Sequence, residues 1–296
     1  MKMIASHEGL RLPVNPSLGP TIMRHVRAPL RRLRAGYRQV TGPLRGLPSV
    51  LIIGAQRSGT TSLFNYLVQH PHVLPPLGKE IHYFDLHYAN GVQWYRGRFP
   101  YSYQLRRGAL TLDASPYYLV HPRVPRLAAQ LLPQVKLIAL LRNPIDRALS
   151  QYQHEVRGGR ESLSLAEAIE KEPERLAGEE ERLLTDPYYY SVSHHRHSYI
   201  LRGLYIEQLR RWMQHFPRSQ LLVLQSERLF RDPGATTAVV YEFLGLPPHR
   251  LQHYKPFLQG KYERQMPGDL RTQLAAYFEP YNRELFLWLG EKFDWT

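Results

Sequence analysis

The sequence contains no cysteine among its 296 residues. This absence excludes a disulfide framework and a thiolate metal site. The chain also lacks an apolar run near the ~20 residues that a membrane helix needs. Residues 1–20 lack the apolar stretch of a secretory signal. From these absences we expect a cytoplasmic protein without a transmembrane segment.

Acidic residues are scarce relative to basic ones, with 25 Asp and Glu against 39 Lys and Arg and a net charge of +14. A field of this sign attracts polyanions and raises their encounter rates. Nucleic acid, acidic glycan, anionic lipid and a phosphorylated nucleotide all qualify, and charge alone does not choose among them. The 43% hydrophobic content is ordinary for a globular chain.

The positive charge is concentrated at the start of the chain. Residues 1–47 hold nine basic residues and one acidic residue, a net charge of +8. We therefore predict a basic N-terminal arm over 1–47 and a folded domain over 48–296. The arm either packs as a solvated segment on the domain or makes a peripheral contact with a membrane or anionic polymer.

Short apolar runs alternate with segments of helical periodicity in the rest of the chain. Strands are predicted at 49–54, 111–113, 135–141 and 220–225. Helices are predicted at 60–70, 125–132, 144–156, 193–216, 233–244 and 268–289. This alternation predicts an α/β domain with three αβα layers, P-loop-like, around a mainly parallel central sheet. The segment 160–190 is predicted to be an irregular insertion over one edge.

The segment 54–61, GAQRSGTT, has two glycines with the G-x-x-x-x-G spacing of a phosphate-binding loop. It follows a predicted strand and precedes a predicted helix, so backbone N–H groups and the positive helix end can surround a phosphate. A nucleoside triphosphatase would have lysine where this chain has Thr60, and Arg57 is the only cation in the loop. The loop is therefore predicted to bind a phosphate, but it is poorly equipped for ATP with magnesium.

A second anion site is predicted at the end of another apolar strand. Arg142 ends that strand and Ser150 follows eight residues later, about two helical turns along. Ligands of open α/β sheets gather at the carboxyl ends of the strands, where Arg142 can offer a fork of donors and Ser150 a hydroxyl. In the alternative, Arg142 pairs with Asp146 at the start of a helix. Two anion anchors indicate a nucleotide phosphorylated at two places.

Together these two segments resemble the sulfotransferase superfamily that uses 3′-phosphoadenosine 5′-phosphosulfate (PAPS). The matching patterns are G-x-x-[KR]-x-G-T-[TS] after a strand and R-x-P-x-x-R-x-x-S. Within that superfamily the sequence is closest to the heparan-sulfate N- and 3-O-sulfotransferase branch and its bacterial relatives. Further matching segments lie at 79–84, 113–118, 202–205, 216–217, 231–233 and 293–295.

This resemblance implies transfer of a sulfuryl group from PAPS to a hydroxyl or amine of a carbohydrate acceptor, with 3′-phosphoadenosine 5′-phosphate (PAP) as product and no metal. It implies that Glu80 is the catalytic base. The residues that it implies for donor binding are Arg57, Ser58, Gly59, Thr60, Thr61, Ser62, Arg142, Ser150, Tyr205, Gly260, Lys261 and Tyr262.

The chain departs from the family pattern at two positions. The family has lysine where this chain has Arg57, which keeps the charge but does not readily give up a proton. Arg57 is therefore expected to stabilise the leaving phosphate electrostatically. Ala114 replaces a lysine of the glycosaminoglycan enzymes, which leaves specificity for such polymers open. His82 is a rival to Glu80 as the base.

Two side-chain groups allow more than one interpretation. The histidines 194, 195 and 197 could indicate zinc, although a polar face or an acceptor contact is preferred and no metal is predicted. The three tyrosines at 188–190 either stack on sugar rings or pack as a loop.

Two other functions stay open at this point. A P-loop kinase would require magnesium for turnover. A basic polyanion-binding protein with an inactive nucleotide site would bind polymers in a salt-sensitive manner without turnover. The sulfotransferase hypothesis involves no nucleic acid partner.

Overall fold

The computed structural model describes residues 36–106, 108–255 and 266–295. Within them, four strands form one sheet, namely β1 (Val50–Gly54), β2 (Leu112–Ala114), β3 (Lys136–Leu141) and β4 (Leu221–Gln225). Their order is β2-β1-β3-β4 and each neighbouring pair is parallel. The predicted parallel sheet is confirmed.

Helices occupy the intervals between the strands and the chain after β4. They are α1 (Thr60–Leu67), α2 (Gly91–Arg96), α3 (Ser102–Leu105), α4 (Val124–Leu131), α5 (Pro144–Arg157), α6 (Leu165–Glu170), α7 (Glu172–Leu176), α8 (Glu179–Thr185), α9 (Val192–Arg196), α10 (Tyr205–Met213), α11 (Ser226–Arg231), α12 (Pro233–Leu244) and α13 (Gly268–Leu289).

Strand β1 shows why the domain has three layers. Successive side chains of a strand point to opposite faces of its sheet. Leu51 and Ile53 pack with residues of α4 and α10, whereas Val50 and Ile52 pack with residues of α1 and α12. All four side chains are buried. Helices therefore cover both faces of the sheet, which confirms the predicted αβα architecture.

The single helix predicted at 193–216 is wrong. The chain forms α9, a 3₁₀ turn at Leu201–Gly203, and then α10. The break is set by the buried Arg202, whose guanidinium donates to the Ser198 hydroxyl at 2.8 Å and to the His195 carbonyl at 2.7 Å. These bonds fold the segment back on itself, and helical periodicity in the sequence does not encode them.

The segment 160–190 is also more regular than predicted, because α6, α7 and α8 occupy it. Ser164 and Glu167 form a capping box at the start of α6. The Glu172 carboxylate of α7 accepts N–H groups from three successive residues, 199 to 201, at 2.7–3.0 Å. The insertion is thus a set of short capped helices tied to the chain after α9.

The described part of the predicted arm packs on the domain. Arg38 and Arg45 donate to the Phe99 carbonyl at 3.3 and 3.0 Å, and the Gly46 N–H donates to the Pro100 carbonyl at 3.0 Å. The arm boundary at residue 47 stays a prediction. Of the helices in the described ranges, none combines the length and the apolar character needed to cross a bilayer.

Candidate active site

The glycine-containing loop connects β1 to α1 at the carboxyl edge of the sheet. Gly59 has φ +90°, and a Cβ there would lie 3.0 Å from the Phe230 ring. The Ala55 N–H donates to the Leu140 carbonyl of β3 at 2.7 Å, which ties the loop to the neighbouring strand. Arg57 adopts φ +70°, a left-handed conformation that is uncommon outside glycine. The loop is therefore a tight turn that leads directly into the N-terminus of α1.

A buried hydroxyl in this loop fits an anionic ligand. The Ser58 Oγ is shielded from solvent and has no hydrogen-bond partner in the part of the chain that the structure describes. An unpaired buried polar group costs about 1–3 kcal/mol, which a phosphate oxygen would recover. The Ser226 hydroxyl donates to the Ser58 carbonyl at 2.7 Å and so positions the residue. Thr60 and Ser62, in the first turn of α1, are buried as well.

The two predicted anion-binding segments meet in space. Arg57 Nε donates to Ser150 Oγ at 3.0 Å, and Arg142 Nη1 donates to the Arg57 carbonyl at 3.2 Å. Ser150 lies in α5 and Arg142 directly follows β3. Two guanidinium groups, a hydroxyl and the α1 N-terminus are thus gathered at one edge of the sheet.

Arg142 is held from behind by buried groups. The Tyr205 hydroxyl, on a fully buried side chain, donates to the Arg142 carbonyl at 2.8 Å. Asn143 caps α5 by accepting the Ile145 N–H at 3.0 Å. Asp146, the alternative partner of Arg142, forms an ion pair with Arg271 at 2.8 Å. Tyr205 therefore acts here on backbone geometry, and its predicted donor contact stays a prediction.

Three predicted donor-binding residues, Gly260, Lys261 and Tyr262, lie outside the described residues.

The predicted base, Glu80, belongs to a chain of ionisable groups. Its Oε2 lies 3.9 Å from His82 Nε2, and His82 Nδ1 lies 2.7 Å from Asp85 Oδ2. Lys79 Nζ contacts Glu80 Oε1 at 2.5 Å. The Asp85 side chain is fully buried, whereas half of the Glu80 side chain is exposed. Asp85 therefore anchors the group and Glu80 faces solvent.

The backbone around Glu80 has an unusual conformation. Glu80 and His82 have φ +60° and +53°, and such strain in non-glycine residues clusters at functional sites. The Glu80 N–H donates to the Ala114 carbonyl at the end of β2 at 3.1 Å. Ahead of this segment, Val73 forms an isolated parallel bridge with Leu110. The hydrogen bond from the Glu80 N–H to the last residue of β2 places Glu80 at the carboxyl edge of the sheet.

The charged side chains of this group, Asp85, His82, Glu80 and Lys79, stabilise one another's ionised forms. Burial alone would lower the pKa of His82, but the Asp85 and Glu80 carboxylates outweigh it and raise that pKa to about 10. The His82 imidazolium, followed by Lys79, lowers the pKa of Glu80 to about 2 against the opposing effect of burial. At neutral pH, His82 is therefore cationic and Glu80 is an ionised proton acceptor.

A cavity of about 200 Å³ joins these groups to the loop. Gln56 of the loop, Glu80, His82, Tyr117 and His195 are among the residues that line it. The cavity therefore has the predicted base on one wall and the predicted phosphate loop on another.

Arg202 fastens the opposite walls of this cavity together. It is buried, donates to the Gln56 side-chain oxygen and to the His195 carbonyl, and lies 4.9 Å from the centre of the Tyr117 ring. Burial lowers its pKa to about 10, so it stays cationic at neutral pH.

Of the clustered histidines, His194 and His195 are neutral and hydrogen-bonded. Burial lowers the pKa values of His194 and His195 to about 3. Their Nδ1 atoms lie 2.7 Å from the hydroxyls of Tyr117 and Tyr190 respectively. Within residues 36–106, 108–255 and 266–295, no three His, Asp or Glu side chains are grouped so that they could hold a metal ion.

Sequence reasoning missed Asp85, Gln56 and Arg202. The His-x-x-Asp spacing of His82 and Asp85 is a signal that could have identified the first. Gln56 and Arg202 lie in segments 54–61 and 202–205, but their role follows only from the long-range contact between them, which connects the loop to the turn before α10.

Comparison with known proteins defines the class of enzyme. Residues 47–263 match the model of the sulfotransferase domain family, and the chain belongs to this family. The predicted resemblance and the predicted enzyme class, sulfotransferase, are thereby confirmed.

One curated relative and two solved structures are similar to this chain over most of its length. Heparan sulfate glucosamine 3-O-sulfotransferase 6 of Mus musculus is 30% identical over 89% of this chain and 79% of its own length. The crystal structure of a sulfotransferase from Alicyclobacillus acidocaldarius matches with TM-score 0.63 and 30% identity, covering 84% of this chain and 98% of that one. The mouse sulfotransferase SULT7A1, solved in complex with PAP, shares the fold with TM-score 0.51 at 14% identity, over 83% of this chain and 88% of its own.

Proposed function

We propose that this sulfotransferase moves the sulfuryl group of PAPS to a hydroxyl of a saccharide, with Glu80 as the base and Arg57 stabilising the leaving phosphate. The observation that carries the proposal is the meeting of Arg57 with Arg142 and Ser150. A donor phosphorylated at its 5′ and 3′ positions requires two anion sites within one nucleotide's length. The sulfotransferase family membership supports the same donor.

The described residues fit the two ends of such a donor. The orphaned Ser58 hydroxyl, the α1 N-terminus and Arg57 would receive the 5′-phosphosulfate. Arg142 and Ser150 would receive the 3′-phosphate, since a guanidinium offers a planar fork of donors. The assignment of Ser150 to the 3′ end follows the family pattern R-x-P-x-x-R-x-x-S, and its hydroxyl accepts from Arg57 Nε at 3.0 Å.

The reaction forms one bond as another breaks. The acceptor oxygen attacks sulfur, the bond from sulfur to the bridging oxygen breaks, and its electron pair stays on the 5′-phosphate of PAP. Glu80 takes the acceptor proton, because its carboxylate lies in the cavity that Gln56 of the loop also lines. Arg57 and the loop N–H groups offset the charge that develops on the bridging oxygen.

His82 is a positioning residue in this mechanism. A cationic imidazole cannot accept the acceptor proton, so its role differs from the rival role considered for it. It orients the Glu80 carboxylate and is itself oriented by Asp85. A positioned base contributes about 10²–10⁴-fold to the rate.

The acceptor class rests on the heparan sulfate relative, whose name specifies a glucosamine acceptor. Since Ala114 replaces the lysine of that branch, a saccharide is proposed here without assigning a glycosaminoglycan.

Calorimetric titration with PAP, beside ATP with magnesium, tests the donor assignment. We expect the wild-type protein to bind PAP and to bind ATP at least tenfold more weakly. Arg142→Ala removes the guanidinium at the 3′-phosphate and is expected to weaken PAP binding about tenfold or more, since a charge-assisted hydrogen bond contributes about 1.5–3 kcal/mol. Arg210→Ala, at a half-exposed ion pair with Glu284, is the matched control.

Tighter binding of ATP than of PAP would instead support the kinase alternative. Salt-sensitive binding of anionic polymers without sulfate transfer would support the polyanion-binding alternative. Either outcome contradicts the proposal.

A further inference from the structure

A second cavity, of about 360 Å³, lies beside the Glu80 cavity. Four tyrosines and one carboxylate are among its lining residues, namely Tyr88, Tyr188, Tyr189, Tyr190 and Asp85. No step of the sulfuryl transfer described above uses the tyrosines.

The two cavities share a wall. Asp85 lines the second cavity and contacts His82 of the first at 2.7 Å. Tyr190 lines the second cavity and its hydroxyl lies 2.7 Å from His195 Nδ1 of the first. A molecule held by the tyrosines would therefore lie directly next to the group that is sulfated.

The tyrosine segment is held in place from below. The buried Arg123 donates to the Asp186 and Pro187 carbonyls at 3.1 and 2.8 Å. The Tyr189 hydroxyl donates to the Glu179 carboxylate of α8 at 2.8 Å. The cavity wall is thus formed by the fold of the insertion before any ligand binds, which lowers the entropic cost of binding.

Three of these aromatic rings face solvent around the cavity. Tyr188, Tyr190 and Tyr88 are 78%, 41% and 36% exposed. Exposed apolar side chains grouped in one patch mark binding sites, whereas single ones are ordinary. A tyrosine presents an apolar ring face and a polar tip, which matches the apolar faces and hydroxyl rim of a sugar.

The charge of the lining selects among sugars. Among the described residues that line this cavity, Asp85 is the only charged one, and none is Lys or Arg. Asp85 is itself buried and paired with His82 at 2.7 Å. A uronate or sulfate would therefore find no cation in the lining to pair with, which disfavours an anionic ring.

We infer that the tyrosine cavity is an acceptor subsite for an uncharged sugar ring next to the ring that receives the sulfuryl group. This inference rests on the proposed function and narrows its acceptor class. The acceptor would then carry an uncharged ring on at least one side of the reacting sugar.

Calorimetry on the PAP-bound full chain tests the subsite without requiring turnover. The probes are uncharged tetrasaccharides of glucose, galactose and N-acetylglucosamine, beside an N-sulfated, uronate-containing heparan tetrasaccharide. We expect an uncharged probe to bind more tightly than the heparan probe. Tyr188→Ala and Tyr88→Ala are each expected to weaken it about 2- to 10-fold, the range of a single aromatic contact.

Tyr103→Ala is the matched control, because this tyrosine is 66% exposed but does not line the cavity. It is expected to leave the affinity for the uncharged probe unchanged. Tighter binding of the heparan probe, the failure of every uncharged probe to bind, or equal affinities in wild type and both cavity variants would overturn the inference. PAP is also titrated into the wild type and into each variant. Failure of the wild type to bind PAP counts against the proposed function. Retained PAP binding does not, and a failure of the sugar probes then counts against the subsite alone.

Discussion

Replacing Asp85 with asparagine would show which protonation state of His82 the enzyme uses. The Asp85 carboxylate is buried and contacts His82 Nδ1 at 2.7 Å. Asp85→Asn keeps the shape of the side chain but removes the charge that favours the imidazolium. The variant therefore changes the pKa of His82 while leaving Glu80 in place.

The size of the change follows from the energy of the contact. A hydrogen bond to a charged group contributes about 1.5–3 kcal/mol, and each pKa unit corresponds to about 1.4 kcal/mol. Removing the charge should therefore lower the pKa of His82 from about 10 by roughly one to two units. Glu80, with a pKa of about 2, is ionised throughout this range.

The assay is the pH dependence of kcat/KM for sulfuryl transfer between about pH 5 and about pH 10.5. In the wild type we expect a plateau that falls only near pH 10, where His82 loses its proton. In Asp85→Asn the fall should begin roughly one to two pH units lower. Glu242→Gln, at an exposed position of α12, is the control and should keep the wild-type profile.

Stability should follow the same titration. The pKa of His82 is raised by folding from 6.5 to about 10, so its contribution is fully present below about pH 6.5 and is lost as the pH rises through about 10. Asp85→Asn should reduce this dependence.

A transfer rate that rises with pH through the pKa of His82 would refute the reasoning, because neutral His82 would then be the base.

Two structural predictions concern the frame of the site. Arg202→Lys cannot reproduce the forked contacts of the buried guanidinium and should lower the free energy of unfolding in urea by about 1.5–3 kcal/mol, whereas Arg210→Lys at an exposed ion pair should change it by ~0–1 kcal/mol. Equal effects would show that Arg202 does not fasten the cavity walls. Gly59→Ala forces a Cβ into φ +90° close to Phe230 and should cost about 1–2 kcal/mol, whereas Gly268→Ala meets open space and should cost less; a neutral Gly59→Ala would contradict the tight-turn geometry.

The parts of the fold that the sequence predicts well are those set by local pattern. The strands follow from apolar runs that are buried on both faces, such as the run that forms β3 (Lys136–Leu141). The tight turn from β1 into α1 follows from glycine spacing and from its place between a strand and a helix. Helix α5 begins at Pro144, as the proline in its first turn predicts.

The parts that the sequence does not predict depend on long-range contacts. The break before α10 is made by Arg202, and helical periodicity continues through it. The contact of Arg57 with Ser150 joins segments on different elements. Asp85 lies in a loop without periodic pattern, and only the fold brings its carboxylate under His82. Tertiary contacts override local propensity at each of these points.

The most direct test of the central claim is transfer of radiolabelled sulfate from PAPS to a saccharide acceptor by wild type, Glu80→Gln and Glu242→Gln, with PAP affinity measured in each. We expect Glu80→Gln to lose about 10²–10⁴-fold in kcat while its PAP affinity stays close to that of the wild type. Glu242→Gln should retain both. Sulfate transfer by Glu80→Gln at the wild-type rate would contradict the account.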